Sequence, residues 1–101
     1  MKRVQFTDQA LERLEEILSF LRLSMPEDAV LQVGKQLLEQ AESLKQYPYK
    51  GQKEEQLQSI GLGHRRLVVD HYKVIYRVTG TSIYIIDFFD TRQDPHKMYP
   101  H

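Results

Sequence analysis

The chain has no cysteine, so disulfide frameworks and thiolate–zinc sites are excluded from the outset. That absence also fits a reducing cytoplasm, which is the expected location. No apolar run approaches the roughly 18 to 20 residues needed to cross a bilayer, and the N-terminus lacks the charged, apolar, then small pattern of a signal peptide. A soluble intracellular protein with no membrane partner is therefore expected. Also missing are a glycine-rich phosphate loop, a nucleophile elbow and a cysteine nucleophile, which leaves nucleotide hydrolysis and acyl transfer without support. Charge of one sign is lacking too: 14 Lys and Arg balance 14 Asp and Glu. The balance is uneven along the chain, with 8 basic and 10 acidic residues up to position 57 and 6 basic and 4 acidic after it. All four histidines fall in the second part. A polyanion would meet that half, with little help from the overall field.

What is present reads as one domain over residues 1–101, large enough to hide roughly 60 to 70% of its unfolded surface around a single core. A short strand, Lys2 to Phe6, precedes apolar residues at Ala10, Leu11, Leu14, Ile17, Leu18 and Leu21, whose spacing of three and four predicts a helix from near Asp8 to near Leu23. Thr7 is its predicted N-cap, with Phe6 and Leu11 at the positions of a hydrophobic staple. Pro26, Glu27 and Asp28 suit a second helix start, and Ser24 and Glu27 have capping-box spacing. Val30, Val33, Leu37, Ala41 and Leu44 give that helix its stripe, ending near Tyr47 and Pro48. The two helices form an antiparallel hairpin, closed by Tyr47 and Tyr49. From Tyr49 to Gly63 the chain is polar and glycine-punctuated, and a surface loop is expected.

Three strand patterns follow, RRLVV, YKVIYRV and SIYIIDFF. The last two are separated by TGT, where Gly80 is expected to supply the hairpin turn. The period of two sends Tyr72, Val74, Tyr76 and Val78 one way, toward the helices, and Lys73, Ile75 and Arg77 the other, onto an open face. The fold class is thus α+β: an N-terminal strand and a helix hairpin packed on one face of a small, mainly antiparallel sheet.

The strand region also gathers Arg65, Arg66, Lys73, Arg77 and Arg92 with His64, His71, His96 and Tyr99. Guanidinium and ammonium groups bind phosphate and stabilise charge developing during phosphodiester cleavage, while His, Tyr or a carboxylate moves the proton. The set suffices for RNA cleavage without metal, although composition alone favours solvated charges that keep an open sheet soluble. His64 and His71 are seven apart, and Asp87, Asp90 and Asp94 lack a calcium-loop pattern, so neither a metal nor another cofactor is expected. Asp87 interrupts an apolar run, as a buried acceptor paired with an arginine would.

The order strand, helix, helix, strand, strand, strand, with GHRRLVVDHYKVIYRV followed by SIYIIDFFDTRQDP, resembles the RelE/ParE superfamily of toxins from bacterial type II toxin-antitoxin systems. The resemblance spans nearly the whole chain. It implies a growth-inhibiting toxin with a cognate antitoxin, as a homodimer or a hetero-oligomer with that antitoxin. RelE-like members cut mRNA at the ribosome, and the carry-over makes Arg65, Lys73, Arg92 and Tyr99 the catalytic candidates, with His96 as a substitute for Tyr99. His64, Arg66 and Arg77 are then nucleic-acid-binding candidates, and Asp90 and Asp94 orient or neutralise Arg92. Lysine stands at 73 where such enzymes commonly have arginine. ParE-like members lack that full catalytic set and poison DNA gyrase; the long helix hairpin and the charge near zero lean this way. A non-toxic interaction module that keeps the fold is the alternative from another class.

Overall fold

The structure, a computed structural model, describes residues 1–101. Its elements are β1 (Arg3–Phe6), α1 (Asp8–Leu21), α2 (Glu27–Glu42), β2 (Gln52–Lys53), β3 (Arg65–Val69), β4 (Tyr72–Val78) and β5 (Ser82–Asp90), with short 3-10 turns at Ser43–Lys45, Glu55–Ile60 and Pro95–Lys97. The strands form one sheet in the order β1-β5-β4-β3-β2. β1 runs parallel to β5, and every other pairing is antiparallel. β1 and β5 sit side by side in one direction because the helix hairpin and the rest of the sheet lie between them in the chain, enough to carry the crossover that parallel neighbours need.

Thr7 caps α1 as its sequence position predicts, its hydroxyl accepting from the Ala10 amide at 3.1 Å. The hydrophobic staple does not form. Phe6 instead stacks on Phe88 of β5, ring centroids 6.2 Å apart, and Leu11 remains 45% exposed. The capping box of α2 is also absent: Pro26 occupies the N-cap with no side-chain bond, and Glu27 turns back to Arg22 at 3.0 Å. Pro26 lacks a side-chain acceptor, so the helix start rests on its fixed φ and the acidic first turn.

Leu14, Ile17 and Leu18 of α1 and Val30, Leu37 and Ala41 of α2 pack on Val74, Tyr76, Ile83, Ile85 and Phe88, which makes the main core. Each large side chain fully buried there contributes about 1.5 to 3 kcal/mol. Tyr72, Val74 and Tyr76 face the helices as their alternation predicts. On β5 the alternation is interrupted by a bulge, since Ile75 pairs with Asp87 while Tyr76 pairs with Ile85, leaving Ile86 as the extra residue. Ile83 and Ile85 before it and Phe88 after it serve the main core, whereas Ile86 and Phe89 join a second cluster on the opposite side.

That second cluster corrects two expectations. The face opposite the helices is not open: Leu57 and Met98 close over Ile75, Ile86 and Phe89, and all five are buried. The segment from Tyr49 to Gly63 is more than a surface loop, since it contributes edge strand β2, the 3-10 turn and the buried side chains Glu54 and Leu57. A polar stretch with two usable side chains reads as a loop because its buried residues have no period. Thr79, not Gly80, shapes the β4–β5 turn, its hydroxyl accepting from the Ser82 amide and donating to the Ser82 carbonyl, while the Lys2 ammonium caps the Thr79 and Gly80 carbonyls. Tyr47 and Tyr49 are about 60% exposed and do not close the helix hairpin. In the β3–β4 turn Asp70 takes the left-handed conformation, φ 52°, which aspartate tolerates better than most residues.

Candidate functional site

On the face away from the helices, register places Arg66 beside Ile75 and Val68 beside Lys73. The Lys73 ammonium donates to Glu54 at 2.9 Å, and Arg66 lies 3.9 Å from the same carboxylate oxygen. Glu54 is only 2% exposed, so this is a shielded acid with two cations gathered on it. Its second oxygen accepts the Gln56 amide and so also fixes the start of the 3-10 turn. His64 is buried next to this group. Its Nε2 meets the Pro100 carbonyl at 2.8 Å, its Nδ1 has no partner, and burial holds its pKa below the ordinary histidine value. Arg77 follows on the same face with its Nε buried and unpaired.

Arg65 points to the helix side, level with Tyr76. It donates to the Gly51 carbonyl at 2.7 Å and lies over the Tyr49 ring, 5.0 Å from the centroid. The Gly51 amide in turn donates to the Tyr76 hydroxyl at 3.0 Å. Any Cβ at position 51 would run into the Arg66 carbonyl and that hydroxyl, so the close approach requires glycine. Arg65 thus pins the chain that leads into β2.

Arg92 sits beyond β5, at the sheet end nearest Tyr72. Its guanidinium forms a two-pronged pair with Asp90, both bonds 3.0 Å, and its own amide donates to the same carboxylate. The pair holds the Asp90 carboxyl below its usual range. Asp94 does not join it; it accepts the amide and ring Nδ1 of His96 at 3.0 and 3.1 Å. His96 itself is largely exposed.

Tyr99 is drawn to a residue that sequence reasoning did not single out. Arg13 of α1 lies over its ring, 4.2 Å from the centroid, and also 5.9 Å from the Phe89 centroid. Arg13 donates to the Lys97 carbonyl at 3.0 Å and faces Asp87 at 3.7 Å. Asp87 is wholly buried and accepts the Tyr99 amide at 3.0 Å; burial pushes its pKa up to about 6. It therefore has the arginine partner expected of it. One signal pointed to Arg13: it shares the α1 stripe of Ala10 and Ile17 at spacings of three and four, a place where an arginine must reach past the core.

The named side chains thus divide. Lys73, Arg66, His64 and Arg77 lie on the face away from the helices, Arg65 lies on the helix side, Arg92 lies at the sheet end by Tyr72, and Tyr99 lies under Arg13. Each of Arg65, Lys73 and Arg92 already has a protein acceptor. The arrangement can hold segments together and present charge, and its exposed members at the end of β5 are Arg92, His96 and Lys97. No group of three or more His, Cys, Asp or Glu side chains is placed to hold a metal.

Residues 4–95 match the family model described as ParE toxin of type II toxin-antitoxin system, parDE, and the chain belongs to that family. A solved structure, described as the chromosomal ParDE TA system from P. aeruginosa, superposes with a TM-score of 0.76 at 21% identity, covering 89% of this chain and 96% of that one. Comparison with curated proteins gives no match. The protein is accordingly a ParE-type toxin that acts within a type II toxin-antitoxin pair, and no helix is long and apolar enough to cross a membrane.

Proposed function

We propose that this toxin stops growth by poisoning DNA gyrase and not by cutting mRNA. The observation that supports it is the dispersal of the four residues an mRNA-cleaving site would need. Lys73 is neutralised by buried Glu54, Arg65 is bound to the Gly51 carbonyl, Arg92 is forked onto Asp90, and Tyr99 is pinned beneath Arg13. A proton donor and a phosphate clamp must lie within hydrogen-bond reach of one scissile bond. These four sit on different sides of the sheet. A net charge of zero agrees, since competition for a strongly anionic ribosomal surface rewards basic proteins. The test is in vitro: purified protein with gyrase and supercoiled plasmid, beside purified protein with programmed ribosomes. Accumulation of linear, gyrase-bound DNA without mRNA cleavage is the expected result. Codon-dependent cleavage of ribosome-bound mRNA would overturn the proposal, and inactivity in both assays would favour an interaction module that has kept only the fold.

The antitoxin's seat is proposed on the outer groove between α1 and α2. Leu18, Leu31 and Leu38 line it, and Glu15, Glu39 and Glu42 rim it, with Lys35 tied to Glu39 at 3.8 Å. The groove measures about 580 Å³, and Leu31 is 55% exposed. An apolar trough with an acidic rim is complementary to an amphipathic helix flanked by Lys or Arg.

A further inference from the structure

We propose that residues Pro95–His101 form a releasable strap over the second apolar cluster, clamped from α1 by Arg13 and from the start of β3 by His64. The geometry has three parts. Met98 is the one buried side chain of this segment, and it plugs the cluster of Leu57, Ile75, Ile86 and Phe89. Arg13 reaches round the sheet edge to it, where β1 has stopped pairing with β5 at Ile85. There it holds the strap twice, through the Lys97 carbonyl and the Tyr99 ring, while Asp87 takes the Tyr99 amide. His64 holds the far end at the Pro100 carbonyl.

Both anchors are imperfect in the closed state. Asp87 Oδ1 and His64 Nδ1 are buried without a hydrogen-bond partner, and each regains water when the strap lifts. An unsatisfied buried polar atom costs free energy that a lifted strap recovers, so closure is held by a small margin. Regions with few buried apolar contacts open well below the global unfolding free energy. Residues Thr91 to Lys97 are all exposed, which leaves Met98 as the strap's only apolar anchor of consequence.

The two anchors titrate in opposite senses. Asp87 faces Arg13 and Glu16 of α1 and the Tyr99 amide of the strap, and burial raises its pKa to about 6. Closure therefore favours its protonated form, and the closed state loses ground as pH rises through 6. His64 faces Glu54, Arg77 of β4 and His101 of the strap, and burial lowers its pKa. Closure favours its neutral form, and the closed state loses ground as pH falls below the ordinary histidine value. Between the ordinary carboxylate and histidine pKa values both groups gain their charge on opening, so the strap is weakest in that window and tightens to either side.

Amide hydrogen exchange of the full chain tests this, with each rate normalised to its intrinsic value. The Tyr99 amide is expected to exchange through a local opening, faster than the β4 and β5 amides. Arg13→Ala should speed that opening by about tenfold or more while the β4 and β5 amides hold. In His64→Gln, which keeps a donor for Pro100, only the Asp87 titration remains, and opening should rise roughly tenfold from pH 5 to pH 7. In Asp87→Asn the slope should reverse, with opening increasing toward low pH. The proposal is overturned if Tyr99 exchanges at the same rate as the core strands in wild type, if it shows no protection at all, or if the two variants share one slope. Should Arg13→Ala lower protection everywhere, the opposed slopes of the other two variants still decide.

Discussion

Replacing Lys73 separates a structural cation from a chemical one. Lys73→Met removes the 2.9 Å partner of Glu54 and leaves that carboxylate, 2% exposed, with Arg66 at 3.9 Å and one amide donor. Removing one member of a fully buried pair costs about 3 to 5 kcal/mol. Here the Lys73 side chain is 24% exposed and Arg66 remains, so roughly half that, about 2 kcal/mol, is expected. In a chain of this size the loss corresponds to a fall of roughly 10 °C in Tm. The partner variant, Glu54→Gln, retains an acceptor for the Gln56 amide. Combined with Lys73→Met it should recover at least about 1 kcal/mol, a coupling that only an interacting pair gives. The assay is urea unfolding of wild type, both single variants and the double variant, beside growth after induction. The double variant should unfold closer to wild type than Lys73→Met does, and it should still arrest growth. If Lys73→Met is as stable as wild type yet harmless to cells, Lys73 contacts a target and the structural assignment is wrong.

Other outcomes follow from the same geometry. Tyr99→Phe keeps the ring on Arg13 and the amide on Asp87 but removes the hydroxyl, so induced cells should stop growing as fast as with wild type. Loss of arrest in a folded Tyr99→Phe protein would make the hydroxyl a chemical group. Gly51→Ala forces a methyl into the Arg66 carbonyl and the Tyr76 hydroxyl and should lower stability by about 1 to 3 kcal/mol in denaturant melts. For Asp87→Asn the sign depends on pH: the charged carboxyl is penalised only above its ordinary pKa. Urea midpoints should therefore shift in favour of Asn by up to about 3 kcal/mol between pH below 4 and pH above 6. Leu31→Asp with Leu38→Asp should abolish co-purification with the antitoxin while leaving growth arrest intact; retained co-purification would place the antitoxin elsewhere.

The helix hairpin and the long strands were legible because their burial is periodic. Ala10, Leu14, Ile17 and Leu18 repeat at three and four, and Tyr72, Val74 and Tyr76 at two, so one face of each element could be read directly. Asp87 was legible as a buried acceptor for the opposite reason, as a lone charge in an apolar run. What stayed hidden is the cover of the second face. Leu57 and Met98 are single apolar residues in polar surroundings, and nothing in a one-dimensional pattern says that two residues 41 positions apart meet over Phe89. The β5 bulge hid as well, since SIYIIDFF is apolar on both faces and a parity change leaves no mark in such a run. Candidate site residues were found by type, but their partners were not. Glu54 lies in a polar segment read as a surface loop and Arg13 was not singled out, yet these two decide what Lys73 and Tyr99 are free to do.

Pulse incorporation of labelled thymidine and labelled methionine after induction, beside an Arg92→Ala control, tests the gyrase assignment most directly. DNA synthesis should fall first while methionine incorporation continues. A collapse of methionine incorporation before any change in thymidine, with cut mRNA ends by primer extension, would contradict it and return Lys73, Arg92 and Tyr99 to a catalytic role.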